Sequence, residues 1–212
     1  MLKVNEIFYS IQGESSKAGL PCIFIRLTYC NLRCTYCDTE YAFYDGRDMS
    51  IEEILTEIKK YNCNLVEVTG GEPLFQKESI DLMKQLCNYG YEVLLETGGS
   101  LAIKDVDRRV KIIMDLKCPS SGMLKKNLYS NIEDLKQSDE VKFVIGDRED
   151  YDWSKETMAK YNLTEKCSLL FSTVFGKLEP LTLVNWILHD NINVRFQLQM
   201  HKFIWEPDTK GV

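Results

Sequence analysis

Seven short apolar runs, at residues 22–27, 65–68, 92–96, 111–116, 141–145, 168–173 and 194–198, constrain what this chain can fold into more than any other feature. Each is four to six residues long and carries Val, Ile, Leu or Phe in the manner of a buried strand. Helical patterns separate several of them. Ser50-Ile51-Glu52-Glu53 reads as a capping box, in which a hydroxyl and a carboxylate three residues apart satisfy free N–H groups. The helix that follows, 51–61, carries Ile51, Ile54, Leu55 and Ile58 on one face. A second, 79–89, repeats the pattern with Ile80, Met83, Leu86 and Cys87 and stops at Gly90, and 181–189 is a third. Strand–helix–strand order favours parallel pairing, because a crossover must carry the chain back before the next strand. The gap at 97–110 has room for only a short helix and turns, and 117–140 is polar and weakly periodic around 132–137. The expectation is an α/β fold, a parallel sheet or partial barrel with some covering helices reduced or lost. Such folds place chemistry at the C-terminal ends of their strands.

The polar clusters at those ends differ in kind. Cys30, Cys34 and Cys37 follow the first core run, Thr69-Gly70-Gly71-Glu72-Pro73 the second, Glu96-Thr97-Gly98-Gly99 the third, and Lys117-Cys118-Pro119 the fourth. Three thiols within eight positions suit neither disulfides, which need pairs, nor a closed zinc site, which needs four ligands. A [4Fe–4S] cluster fits them: three thiolates each bind one iron and leave the fourth open to a small chelating ligand. Zinc completed by Cys22, Cys118 or His201, and three buried cysteines acting as small apolar residues, are the competing readings.

Bulk properties bear on the choice. A chain of 212 residues, 44% hydrophobic and 27% charged, is read as a single domain over 1–212. No apolar run approaches the ~20 residues that span a bilayer, and MLKVNEIFYSIQGE turns polar too early for a signal peptide. A cytoplasmic protein with reduced thiols is expected, so eight cysteines argue for metal or catalysis. A net charge of −6 argues against nucleic-acid binding.

Cys30-x3-Cys34-x2-Cys37, with Tyr36 just before the last cysteine, resembles the signature of the radical S-adenosylmethionine (SAM) superfamily, and Thr69–Pro73 matches its GGEP segment. Taken in order, SIQGES (10–15), FIRL (24–27), CDT (37–39), VTGGEP (68–73), ETGGS (96–100), DLKCPSS (115–121) and QLQMHKFIW with the terminal KGV are similar to the 7-carboxy-7-deazaguanine synthases. The resemblance implies a partial parallel β-barrel of radical SAM type, with about six core strands and few helices. It implies reductive cleavage of SAM to a 5′-deoxyadenosyl radical. That radical starts the conversion of 6-carboxy-5,6,7,8-tetrahydropterin to 7-carboxy-7-deazaguanine, with ring contraction and loss of ammonia, in queuosine and deazapurine biosynthesis. The implied cofactors are the [4Fe–4S] cluster, SAM and Mg²⁺. The implied partners are a flavodoxin or ferredoxin reductant and a second copy of the chain in a homodimer.

Roles follow residue by residue from the resemblance. Cys30, Cys34 and Cys37 hold the cluster. Tyr36, Cys37, Asp38, Gly71, Lys117, Cys118, Pro119 and Ser172 border SAM, with Cys118 equally readable as a core thiol. Ile11, Gln12, Gly13 and Glu14 meet the pterin, together with Thr69, Glu96 and His201. Arg26 is a charge inside an apolar run, which is costly unless paired. Either it receives the substrate carboxylate or it forms a structural ion pair. Thr39 offers Mg²⁺ a hard oxygen. The tail carries Phe203, Ile204 and Trp205, which are expected to pack back over the barrel mouth and bring Val212 beside the substrate. A glycyl-radical activating enzyme and a non-enzymatic zinc or iron–sulfur module are the alternative functions.

Overall fold

In the computed structural model, which describes residues 1–212, nine strands form one sheet. In chain order they are β1 (Leu2–Ile11), β2 (Pro21–Leu27), β3 (Arg47–Met49), β4 (Leu65–Gly70), β5 (Glu92–Thr97), β6 (Lys111–Asp115), β7 (Glu140–Ile145), β8 (Ser168–Thr173) and β9 (Arg195–Phe196). The spatial order is β3-β1-β2-β4-β5-β6-β7-β8-β9. From β2 onward every pair is parallel, whereas β1 lies antiparallel to both β2 and β3. The sheet does not close, because its edge strands β3 and β9 do not pair with each other. This is the expected partial barrel: six full parallel strands, a short β9, and an antiparallel edge added at the start.

Helices cover one face: α1 (Ile51–Ile58), α2 (Glu78–Asn88), α3 (Asn131–Asp134), α4 (Arg148–Lys160), α5 (Leu163–Lys166) and α6 (Pro180–Asp190); a seventh, α7 (His201–Ile204), contributes no residue to the core beneath them. The capping box of Ser50 and Glu53 is formed at α1, and Gly90 takes φ +88° after α2, where a left-handed residue ends a helix. Between β5 and β6 the chain makes turns and no helix. No helix is long and apolar enough to cross a membrane.

Alternation along the strands sorts side chains between two unlike faces. Ile23, Ile25, Val66, Val68, Val93, Leu95, Ile112, Met114, Val141, Phe143, Leu169 and Phe171 point to the helices and anchor a buried cluster of 36 residues. The opposite residues of the same strands form a much smaller apolar floor of Phe8, Cys22, Phe24, Leu65, Leu94, Ile113 and Leu170. One or two pleats further toward the strand C-termini, that concave face turns polar, with Arg26, Glu67, Glu96, Asp115 and Lys142.

Four elements depart from the sequence reading. β1 and β3 are unforeseen: β1 buries only Leu2, Val4 and Phe8 of its ten residues, so it lacks the apolar density of a core strand. α4 is unforeseen because its buried side, Asp150, Tyr151, Ser154, Thr157 and Met158, is largely polar. The run at 194–198 pairs only over Arg195–Phe196.

Candidate active site

A cavity of about 550 Å³ opens at the C-terminal ends of the parallel strands, above the apolar floor. Cys30, Cys34 and Cys37 line it from the loop after β2. All three thiols are free and half-buried, and burial pushes each of them up, opposed by the Lys117 ammonium. No three His, Cys, Asp or Glu side chains anywhere in the chain converge closely enough to hold a single ion. Zinc completed by Cys22, Cys118 or His201 is therefore excluded by placement. Cys22 belongs to the floor, Cys118 to the helix-side core, and His201 packs against Gly13.

The glycine segment after β4 is pressed onto the start of the cysteine loop. A side chain at Gly71 would overlap the Tyr29 carbonyl and the Cys30 Cβ, so only glycine fits. Gly71 N–H donates to Leu27 O at 3.1 Å and Glu72 N–H to Tyr29 O at 2.8 Å. Glu72 is fully buried and accepts from Thr97 Oγ1 at 2.9 Å, Gly98 N–H at 2.8 Å and Leu74 N–H at 3.1 Å. It thus ties the ends of β4 and β5 together beside the thiols. Burial raises its carboxyl, and these three donors oppose the rise.

Tyr36, Asp38 and Lys117 line the same cavity. Burial raises the Tyr36 hydroxyl. Burial also pushes Asp38 up, but Lys202 Nζ at 2.7 Å outweighs it and draws the carboxyl down to about 2. Lys117 pairs with Asp115 at 2.8 Å, which raises the ammonium against its own burial. The other carboxylate oxygen of Asp115 is buried without a partner. Three residues expected here lie outside the lining: Cys118, Pro119 and Ser172. Cys118 is fully buried among the helix-side residues, within 3.6 Å of Ser154 Oγ. Pro119 starts a 3₁₀ turn, and Ser172 is buried on β8.

The opposite side of the cavity is built from both ends of the chain. Ile11, Gln12, Gly13, Glu14, Arg26, Thr69, Glu96, His201 and Val212 all line it, as does Thr39. Met200 N–H donates to Gly13 O at 3.0 Å, and a side chain at Gly13 would overlap the His201 ring. Arg26 Nε donates to Glu6 Oε1 at 2.7 Å, and the guanidinium lies over the rings of Phe8 and Tyr41. The structural ion pair is formed through Nε, and the two terminal NH₂ groups of Arg26 have no protein acceptor. The tail folds back as expected, since residues 207–212 line the cavity and Lys210 lies over Tyr41. Its aromatic stretch does not bury: Phe203 and Ile204 stay 60% and 53% exposed.

Two buried charged residues of the lining, Glu67 and Lys142, went unread in the sequence. Lys142 Nζ bonds Glu14 Oε2 at 3.0 Å and Glu96 Oε1 at 2.5 Å. These carboxylates raise the ammonium well above its ordinary range against its burial. Burial raises the Glu67 and Glu96 carboxyls, to about 7 and about 8, and the Lys142 ammonium opposes the rise in both. The signal was available, because Glu67 and Lys142 stand inside apolar runs just as Arg26 does.

The Radical SAM superfamily matches residues 24–163. The chain is 47% identical to the 7-carboxy-7-deazaguanine synthase of Chlorobaculum tepidum, over 100% of this chain and 97% of that one. It is 46% identical to that of Koribacter versatilis, over the full length of both. The chain belongs to the 7-carboxy-7-deazaguanine synthase family. The crystal structure of QueE from Escherichia coli shares the fold, with a TM-score of 0.78 at 22% identity, covering 94% of each chain. A radical SAM synthase of this family takes a [4Fe–4S] cluster and SAM, and the residues present fit both groups. Three free thiols that do not converge on one point suit ligands of separate irons. The unpartnered buried oxygen of Asp115, in a cavity large enough for a cofactor, awaits a hydrogen-bond donor.

Proposed function

We propose that this chain converts 6-carboxy-5,6,7,8-tetrahydropterin to 7-carboxy-7-deazaguanine. The observation that carries the reading is one cavity joining the cysteine loop, the GGEP segment and a polar set drawn from both chain ends. Cys30, Cys34 and Cys37 hold the cluster. Bound together, cluster and SAM supply a carbon radical that abstracts hydrogen from the substrate.

The chain's own residues bind, orient and exclude water. The Gly71 backbone, close against Cys30, holds the methionine end of SAM. Tyr36, Asp38 and the Lys117–Asp115 pair enclose the rest, and the free Asp115 oxygen accepts from a SAM hydroxyl or amine. Pro119 and Ser172 border SAM from the edge of this wall. The terminal NH₂ groups of Arg26 meet the substrate carboxylate as a fork. Thr39, whose hydroxyl otherwise donates to Asp38 at 3.2 Å, gives Mg²⁺ an oxygen, and the ion orients the pterin. His201 and the tail to Val212 close the substrate side.

An acidic flavodoxin or ferredoxin delivers the electron in the cytoplasm. Support comes from a cationic patch beside the cysteine loop that the net charge of −6 conceals. Arg33 is exposed, its N–H donates to Met123 Sδ, and exposed Lys125 and Lys126 follow that methionine. A second copy of the chain covers the exposed apolar patch of Phe175, Phe203 and Ile204, in a homodimer. The test is anaerobic incubation of reconstituted protein with SAM, a strong reductant, Mg²⁺ and the carboxypterin, read by product mass. The deazaguanine acid is expected. A cluster-loaded protein that cleaves SAM but leaves the pterin intact would overturn the reading.

A further inference from the structure

The residues expected to read the pterin's amide and amino edge are already engaged inside the protein. Gln12 Nε2 donates to Glu67 Oε2, and Gln12 Oε1 accepts from Glu14 N–H at 3.1 Å. The Glu14 carboxylate accepts from Lys142 at 3.0 Å, Gln197 at 3.3 Å and Gln199 at 3.1 Å. Little of the Glu14 carboxylate is left for a ligand, and of the Gln12 amide one N–H.

Glu67 is in the opposite condition. Its side chain lines the cavity at the boundary between the apolar floor and the polar wall, beside Phe24 in the register of β2 and β4. It is only 6% exposed. Of the other lining carboxylates, Glu14 and Glu96 share Lys142, Asp38 has Lys202 and Asp115 has Lys117, whereas Asp208 in the exposed tail and the α-carboxylate of Val212 have no cation. Glu67 has no salt bridge, and its sole hydrogen bond comes from a neutral amide to one oxygen, leaving Oε1 unpartnered. A buried carboxylate so poorly compensated is costly unless a donor arrives with the ligand. Each carboxylate oxygen accepts two hydrogen bonds, so both oxygens retain capacity.

We propose that Glu67 is the specificity-determining acceptor for a paired donor edge, in which a ring N–H stands beside an exocyclic amine, as in a 2-amino-4-oxopyrimidine. Two parallel N–H bonds to one carboxylate match this edge in spacing and charge. Gln12 is a positioning residue: its amide fixes the Glu67 carboxylate plane, and its second N–H remains free for the neighbouring ring oxygen. The floor beneath, Phe24, Leu65 and Leu94, receives the ring's flat apolar face. This inference rests on the carboxypterin reading above and names the part of the site that recognises the pyrimidine ring.

The test uses the cluster-loaded enzyme and two ligands, the carboxypterin and its 2-oxo counterpart, which replaces the exocyclic amine by a carbonyl. Wild-type enzyme should bind the 2-oxo compound about tenfold to a hundredfold more weakly, the range expected when a charged acceptor loses its donor. Glu67→Gln, which preserves shape, should weaken the carboxypterin by a similar factor and reduce the discrimination to near unity. Its iron content and its reductive SAM cleavage without pterin should match wild type. Equal wild-type binding of the two compounds would overturn the proposal without needing the variant. Unchanged discrimination in Glu67→Gln would overturn it as well, while tight carboxypterin binding by wild type would leave the functional reading standing. Failure of wild type to bind either compound would overturn that reading and this one together.

Discussion

On the cysteine side of the cavity, chemistry hangs from strand-end loops whose members are neighbours in sequence. Cys30 to Cys37 span one loop, and Gly71 and Glu72 reach it through backbone bonds to Leu27 and Tyr29. On the substrate side, side chains project from the middles of separate strands. Glu67, Glu96 and Lys142 come from β4, β5 and β7, and Gln12 and Glu14 reach them from beyond β1. The first side is set by local spacing and backbone approach, the second by parallel register and one shared lysine. Damage to the first should therefore abolish cofactor chemistry in a folded protein. Damage to the second should appear in stability and substrate affinity with the cofactor chemistry intact.

The largest effect tests the first half of that contrast. Cys34→Ala removes one of three thiolates, and no other cysteine lines the cavity to replace it. Most of the iron and all turnover should be lost, as read by iron per chain and product mass. Cys87→Ala, on α2 and outside the cavity, should keep both. Iron and activity surviving in Cys34→Ala would break the comparison at its root.

The two sides also differ in how far they could be read from sequence. The cysteine spacing, the GGEP segment and six parallel strands were legible because each is a local pattern of a few residues. Apart from Arg26, a charge inside an apolar run, the substrate wall was legible through resemblance. Nothing local says that the Glu67 carboxylate meets the Gln12 amide 55 positions away, because strand register decides it. Where reasoning from single residues failed, the missing quantity was direction. Cys118 follows a strand end as Lys117 does, yet its thiol turns to the helix side while the lysine turns into the cavity. Likewise Phe203 and Ile204 follow the hydrophobic rule only once a partner surface covers them.

The next effect tests the substrate side. Lys142→Met leaves Glu14 and Glu96 without their cation in a site where Lys142 is 7% exposed. Breaking a buried pair from one side costs about 3–5 kcal/mol. Denaturant unfolding at neutral pH should show that loss, and the remaining folded protein should still load iron. Stability within about 1 kcal/mol of wild type, the ordinary worth of a surface pair, would mean that water already solvates the network.

Glu72 sharpens the boundary between the two sides, since it serves the cysteine side but is as buried as any residue of the network. Glu72→Gln keeps one acceptor and turns an amide toward either the Gly98 or the Leu74 N–H. Leaving one buried donor facing another donor costs about 1–3 kcal/mol. Unfolding should show a loss in that range, together with weaker SAM binding, because the β4 and β5 ends no longer hold their spacing. A stability loss with unchanged SAM affinity would place Glu72 in the scaffold alone.

The smallest effect is a slope. Burial lifts the Glu67 carboxyl from its ordinary value of 4.5 to about 7, so the folded chain keeps a proton that the unfolded chain has released. A raised folded value gives a contribution that is fully present below about pH 4.5 and is lost as pH climbs through about 7. The Glu67 share of stability should therefore fall between those limits, by at most about 1.4 kcal/mol per pH unit for one proton, against an opposite contribution from His201, whose burial lowers it below its ordinary value of 6.5. Glu96, lifted to about 8 by the same burial, extends the decline upward. Asp38 works with the opposite sign. Held down to about 2 by Lys202, it stabilises above its ordinary value of 3.8 and loses that contribution only as pH falls toward 2, outside the window. Glu67→Gln cannot titrate, so its unfolding free energy measured from pH 5 to 7 should decline less steeply than wild type, with the Glu96 share remaining. Parallel curves for the two proteins would show that Glu67 is ionised throughout that range and that Lys142 reaches it as well as Glu14 and Glu96.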